Sequence, residues 1–344
     1  MSPLYELIML YHLMHAIILA AGASRRFKTS MSKLAHTLCG QPMLIYTTQI
    51  VQELTTCTTI VLGHQREQLM LLLKKYHAHE PLTIALQEQQ LGTGHAVACT
   101  QQYWTDNNIL ILNGDMPLIQ KSTLQELISM HLRNNATISF VTAQCPDLKT
   151  SLGRVVQENN IITIVEAKDF THDPAQYTII NAGIYIMARS FVEQFISQLN
   201  THNASKEFYV TDLIKIAAEQ NFVVQTLMAD YDTIRGVNTL EELAAAEALI
   251  QQRILTHHML NGVRIIQPHT VQIDRTVTIG SNSVIYPGVH LTGNTHVGEH
   301  CTINPYAIIH NSMIPDNSIV ETFTLMQSHM SSAHPTETVV RASA

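Results

Sequence analysis

Charge is scarce in this chain. Asp, Glu, Lys and Arg together make up 14% of its 344 residues, against about 25% in an average soluble protein, so its polar surface must be built largely from uncharged groups. Positive charge is scarcest, and the formal net charge is −7. A nucleic-acid binder normally carries a basic stripe, and that class is excluded; a few local arginines and lysines still suffice for a small anionic ligand. Cysteine pairing is missing too. The five cysteines, Cys39, Cys57, Cys99, Cys145 and Cys301, are odd in number and form no C-x-x-C pair, which points to free thiols in a reducing cytosol and excludes a disulfide framework. The 19 histidines are scattered, and with no C-x-x-C pair beside them no spacing completes a zinc pattern. No cationic segment precedes the apolar stretch of residues 4–21, and it ends in a glycine loop with no cleavage site, so a signal peptide and membrane insertion are not expected. His12 and His15 also interrupt that stretch. Residues 1–14 read as an extension ahead of the fold, with Met14 as a candidate start.

What is present is enough chain for about two domains, each able to bury a core. Residues 15–27, HAIILAAGASRRF, begin with a short apolar run whose Ile17 to Leu19 read as a buried first strand. Ala20, Ala21 and Gly22 then let backbone N–H groups approach a ligand, and Arg25 and Arg26 supply planar charged forks that suit phosphate. An ordinary strand exit with a solvated basic pair explains this stretch alone equally well.

Strand and helix then alternate in the α/β manner. CTTIVLGHQ ends a strand at Gly63, REQLMLLLKKY reads as a helix, and a third strand, Ile109 to Leu112, runs into Asn113, Gly114 and Asp115. In an open parallel sheet ligands gather beyond the carboxyl ends of strands, so the loops after Leu19 and Leu112 should share one rim. Asp115 there is a candidate metal ligand, with a plain turn residue before Pro117 as the competing reading.

Thr239 and Glu242 form a capping box ahead of an alanine-rich helix expected to run to about Leu255. After it the period changes. Ile273, Ile279, Ile285, Leu291, Val297, Ile303 and Ile309 lie six apart with turn formers between them, the signature of a hexapeptide β-helix. Such a stack is a packing device, and it predicts oligomerisation more directly than catalysis. The hexads fade after Ile309, and the Ser-, Thr- and His-rich tail from Leu325 reads as disordered.

Taken in order, LAAGASRRFKTSMSKLAHTLCGQPM, LQEQQLGTGHAV, LILNGDMPLI, GRVVQENNIITIVEAKD, INAGIYI, EFYVTD and GVNTLEEL closely resemble the bacterial bifunctional N-acetylglucosamine-1-phosphate uridyltransferase/glucosamine-1-phosphate acetyltransferase family. The resemblance implies an α/β fold: a Rossmann-like nucleotidyltransferase domain with a mixed, mostly parallel sheet (residues 15–238), a linker helix (239–260), a short left-handed parallel β-helix (261–323), and a tail (324–344). It implies a cytoplasmic enzyme joining UTP to N-acetylglucosamine 1-phosphate, with release of pyrophosphate and UDP-N-acetylglucosamine for peptidoglycan and lipopolysaccharide precursors. The protein would be a homotrimer through the β-helix.

Roles carry over position by position. Leu19, Ala20, Ala21 and Gly22 would embrace the uridine, Arg26 would hold the triphosphate, and Lys33 would neutralise phosphate charge. Gln87, with Gly92 and Thr93, would read the uracil. Asn113 and Gly114 would lie beside substrate, with Asp115 and Asn238 ligating Mg²⁺. Gly153, Glu166 and Asn181 would hold the sugar and its acetamido group, with Tyr209 and Thr211 close by. The chemistry fits, because no protein nucleophile is needed: two anions must be brought together and their charge neutralised by Mg²⁺, Arg and Lys. The chain departs from the family at Ser24, in place of a second glycine, at Ala23 for lysine, at Ser32 for proline, and at Asn113 for an aromatic residue. A residue with a side chain at position 24 strains the loop if its backbone needs φ > 0. The family's β-helix continues through many more coils that supply the acetyl-CoA site, so acetyltransferase activity is expected to be absent. The alternatives are a nucleotidyltransferase for another sugar phosphate or base, and a catalytically weak paralogue that binds sugar nucleotide or assembles with a partner.

Overall fold

The computed structural model describes residues 14–78, 82–158, 161–329 and 336–341; of the expected N-terminal extension, residues 1–13 lie outside these. The chain forms two compact units. One holds the residues up to His36 together with Met43–Thr239, and the other holds Thr37–Pro42 together with the residues from Leu240 onward.

In the first unit, β1 (Met14–Ala20) starts three residues earlier than the apolar run at Ile17 suggests, because Met14 is itself fully buried. Neighbouring β2 (Cys57–Leu62), β3 (Thr83–Leu86) and β4 (Asn108–Asn113) continue the sheet. It is completed by β5 (Ile138–Gln144), β6 (Arg154–Glu158), β7 (Ile161–Val165), β8 (Ile179–Ala188) and β9 (Val224–Ala229). The strand order is β9-β5-β8-β4-β1-β2-β3, with β6 and β7 attached beside β8. β1 pairs parallel with both β2 and β4, which places it at the centre of the sheet, covered on both faces. That double burial is why its sequence is a continuous apolar run with no alternation. β8 runs antiparallel to both β4 and β5, so the sheet is mixed but mostly parallel.

The helices cover the sheet by placing apolar residues on one face. These are α1 (Met43–Gln52), α2 (Arg66–Tyr76), α3 (Thr93–Ala98), α4 (Lys121–Arg133), α5 (Arg189–Phe195) and α6 (Asp212–Glu219). In α4 the buried residues Leu124, Leu127, Ile128 and His131 follow the i, i+3, i+4, i+7 rhythm of a packed helix. His131 is locked between Ser139 (2.9 Å) and Asn108 (3.2 Å), and burial pushes its pKa down to about 4.

The second unit opens with α7 (Leu240–Leu260), which runs five residues past the expected Leu255. The hairpin Thr37–Pro42 belongs to this unit, where the Cys39 backbone N–H donates to Glu247 on α7 (3.0 Å). A left-handed parallel β-helix follows. One face stacks Arg264–Ile265, Val284–Ile285, Thr302–Ile303 and Ile319–Val320; a second stacks Gln272–Ile273, His290–Thr292, Ile308–His310 and Thr324–His329; a third stacks Thr278–Ile279, His296–Val297 and Met313–Ile314. Ile273, Ile285, Leu291, Val297, Ile303 and Ile309 point inward and are fully buried, each contributing about 1.5–3 kcal/mol.

The hexads do not fade at Ile309. Ile309 pairs back to Leu291, 18 residues earlier, but forward to Met326, 17 residues later. One residue is lost beyond His310, after which Ile314, Val320 and Met326 resume the six-residue phase. That slip hides the continuation from a strict period of six. The coils therefore pass residue 323, and the tail expected to be disordered instead supplies Thr324–His329 to the stack. Thr336–Arg341 then pairs antiparallel with Thr324–His329; residues 330–335 and 342–344 lie outside the described ones.

Candidate active site

The carboxyl ends of β1 and β4 open onto a cleft of about 490 Å³ in the first unit. Leu19, Ala20, Ala21, Gly22, Ala23 and Ser24 form one wall, with Lys33, Asn113 and Asp115 at one end and Gln87, Gln90, Gly92, Thr93 and Glu207 facing them. The loop after β1 is braced from behind: the Gly114 N–H donates to the Leu19 carbonyl (2.9 Å) and the His64 N–H to the Ala21 carbonyl (3.2 Å). Gly22 lies in open space, since a Cβ there would meet nothing within 4 Å among the described residues. Neither packing nor a positive φ calls for glycine at this position, so the room it leaves belongs to the cleft.

Ser24 has φ +50 and ψ +35, the left-handed conformation that costs a residue with a side chain roughly 1–2 kcal/mol. The loop therefore holds the strain that a serine at this position implied. The turn sends the chain into Arg25–Phe27, where Phe27 is buried and its ring lies 4.8 Å from that of His36. With Phe27 anchored inward, Arg26 faces out and its Nη1 donates to Ser151 (3.2 Å). Among the described residues lining the cleft, Arg26 is absent. Lys33 lines the cleft, whereas Arg26 is bonded to Ser151.

Lys33 is held deep in the cleft. Its Nζ donates to Asp115 Oδ2 at 2.5 Å and to Asn238 Oδ1 at 3.1 Å. Asp115 follows β4, while Asn238 arrives 123 residues later on a segment pinned by the Val237 N–H to the Asp115 carbonyl (3.0 Å). Gly236 permits this approach, because a Cβ there would lie 3.2 Å from Asp115 Oδ1. A carboxylate and an amide oxygen thus already converge on one cationic atom. Hard oxygen donors in that number suit Mg²⁺, which keeps water and phosphate oxygens for its remaining positions.

Gln87 is buried, and its Nε2 donates to the Gly92 carbonyl (3.0 Å) and pairs with His95 Nδ1 (3.0 Å). Gly92 adopts φ +109 against the Phe208 backbone, a position closed to any side chain. Thr93 fixes the next segment by accepting from the Val210 N–H (3.0 Å). Glu207 and Gln90 were missed by sequence reasoning; Glu207 opens the EFYVTD motif, whose other members drew attention first.

Beside the cleft, a second group of expected residues meets around Glu166. Thr211 donates to Glu166 Oε1 (3.0 Å), a Cβ on Gly153 would sit 3.2 Å from Glu166 Oε2, and the Asn181 N–H donates to the Gly153 carbonyl (2.9 Å). Asn181 Nδ2 donates to the buried Tyr185 hydroxyl (2.6 Å). Burial raises the Glu166 pKa; the Thr211 hydroxyl opposes that shift, while Asp212, Asp169 and Glu207 add to it. Tyr209 reaches Asp169 Oδ2 (3.4 Å) and is not in contact with Glu166 through any of these bonds.

Residues 16–253 match the family of MobA-like NTP transferase domains, and residues 276–311 match the bacterial transferase hexapeptide, six repeats. The chain is 37% identical over 317 residues to the bifunctional protein GlmU of Alkaliphilus oremlandii (strain OhILAs), covering 91% of this chain and 68% of that protein. It belongs to the GlmU-like nucleotidyltransferase family. A second member, the bifunctional protein GlmU of Geotalea daltonii (strain DSM 22248 / JCM 15807 / FRC-32), is 38% identical over 308 residues, covering 88% of this chain and 66% of the relative. The chain thus spans about two-thirds of the length of these GlmU relatives. The fold also matches that of a UDP-glucose pyrophosphorylase solved with UDP-glucose, with a TM-score of 0.56 at 16% identity, covering 70% of this chain and 99% of the other. No helix among the described residues is long and apolar enough to cross a membrane.

Proposed function

We propose that this nucleotidyltransferase joins UTP to N-acetylglucosamine 1-phosphate, forming UDP-N-acetylglucosamine and pyrophosphate. The observation that carries the reading is the meeting of Lys33, Asp115 and Asn238 at the end of a cleft walled by the small-residue loop. A phosphate oxygen of the sugar phosphate attacks the α-phosphorus of UTP, and the bond to the β-phosphate breaks. The sugar phosphate is already an anion, so no side chain need remove a proton or form a covalent intermediate. The barrier is charge and alignment.

In this reading the backbone of residues 19–24 lies along the nucleotide, and Lys33 offsets the charge that builds on the phosphates. Asp115 and Asn238 would hold Mg²⁺, which when bound withdraws charge from the phosphate oxygens. Gln87 has spent its amide N–H groups on Gly92 and His95, which leaves Oε1 to accept from the N3–H of uracil. Cytosine has no hydrogen at N3, so the same contact disfavours CTP. Glu166, Asn181 and Gly153 form the pocket for the sugar and its acetamido group. Arg26, whose Nη1 is bonded to Ser151, would offer its remaining N–H groups to the triphosphate.

The products would feed peptidoglycan and lipopolysaccharide precursors in the cytoplasm. The β-helix would join three copies, with Ile308, Met313, Ile319 and Leu325 exposed along its outer faces. Acetyl transfer is assigned no part: Thr336–Arg341 occupies the edge of Thr324–His329 where the strand of a next coil would pair. The test is pyrophosphate release in matched mixtures, with CTP, glucose 1-phosphate, and acetyl-CoA with glucosamine 1-phosphate as separate controls.

A further inference from the structure

At the opposite end of β1 from the cleft, three residues far apart in sequence come together. His15 is the second residue of β1, Cys57 begins β2 as its Cα partner, and Asp106 lies just before β4, whose Ile109 pairs with His15 on the other side. Their potential ligand atoms, one from each residue, all lie within 4.8 Å of one another. We propose that His15, Cys57 and Asp106 bind a divalent cation of the zinc class.

Two features of the site carry this beyond simple proximity. His15 is 1% exposed, and its Nε2 is already engaged with Thr59 Oγ1 at 2.8 Å. Among the described residues its Nδ1 is buried with no hydrogen-bond partner. A buried polar atom left in that state costs about 1–3 kcal/mol, and a metal would supply the missing partner. The carboxylate is also oriented. Asp106 Oδ2 accepts from the hydroxyls of Thr56 (2.7 Å) and Thr105 (3.0 Å), the outer support that a metal-binding carboxylate receives in built sites.

One imidazole nitrogen, one thiolate and one carboxylate are a borderline donor set that selects zinc over Mg²⁺, and three protein ligands leave a fourth position for water. Cys57 is exposed, so a metal can reach the site and the thiol proton can leave to solvent. Ligand bonds of about 2.0–2.3 Å require the three groups to draw closer by about 1 Å from their widest separation. The site joins the amino ends of three adjacent strands. It lies about 15 Å along β1 from the cleft at roughly 3.3 Å per residue, so it is independent of the proposed Mg²⁺ ligands.

The full chain, stripped with chelator, is loaded with zinc or cobalt and desalted. We expect one metal ion retained per chain, a thiolate-to-cobalt charge-transfer absorption, and a rise in Tm on adding zinc. Cys57→Ser should abolish the absorption, and Asp106→Asn should weaken binding about tenfold or more. Both positions reach the surface, so the test does not depend on altering His15 in the core. Among the described residues lining the cleft there is no cysteine, so the absorption cannot arise there. No retained metal in the wild-type chain, or an equal absorption in Cys57→Ser, would overturn the proposal.

Discussion

At the scale of single residues, space and charge decide what the cleft can hold. Among the described residues Gly22 meets no atom within 4 Å where a Cβ would stand, so Gly22→Ala should leave denaturant stability within about 0.5 kcal/mol while raising KM for UTP about tenfold. Unchanged KM would mean that nothing approaches this backbone. Asp115→Ala should lower kcat/KM by about 10²–10³, the loss typical of one preorganised charge-stabilising group. Glu166 gives a pH test. Its folded pKa is raised, first by burial, so its stabilising contribution is present below the ordinary Glu range and is lost as pH rises through the raised folded value. Glu166→Gln should therefore gain stability on wild type as pH rises above the ordinary Glu range in chemical denaturation, while KM for the sugar phosphate rises. A loss that is constant with pH would contradict this sign. Much of this site was legible in sequence, because loops at strand ends and an acid after Gly114 mark a ligand rim. The placement of Arg26 was not, because it depends on Phe27 being buried and on the left-handed turn at Ser24, which are tertiary facts. The group at His15 was equally hidden, since its members are joined by strand pairing and share no local spacing.

At the scale of elements, periodicity was readable wherever one face is buried and the phase is unbroken. The helix Arg66–Tyr76 and the coils through Ile309 fall where the pattern places them. The coil beyond did not, because one missing residue shifts every later inward position and a strict hexad then reads polar residues as core. Elements also carry their own pH dependence. Packing α4 onto β5 keeps His131 neutral, with its pKa pushed down to about 4 from 6.5. The unfolded chain takes up this proton first on acidification, so stability present above pH 6.5 is lost as pH falls toward 4, by at most about 3 kcal/mol. His131→Gln should flatten that part of the curve of unfolding free energy against pH. An unchanged slope would show that burial does not shift the His131 pKa.

At the scale of the whole molecule, the chain couples a mixed sheet that carries a nucleotidyltransferase cleft to a stack of coils whose core is built from single inward residues. If the stack joins copies, sedimentation equilibrium should give three chains per particle, and the double change Met313→Lys with Ile319→Lys, at exposed positions, should give monomers with the cleft intact. A wild-type monomer would contradict that assembly. The most direct measurement is pyrophosphate release by the purified chain with UTP, N-acetylglucosamine 1-phosphate and Mg²⁺. Release in that mixture, abolished by EDTA and absent with CTP or glucose 1-phosphate, is the predicted result. Silence with UTP and N-acetylglucosamine 1-phosphate, or equal release with every nucleotide and sugar offered, would contradict the assignment of this cleft.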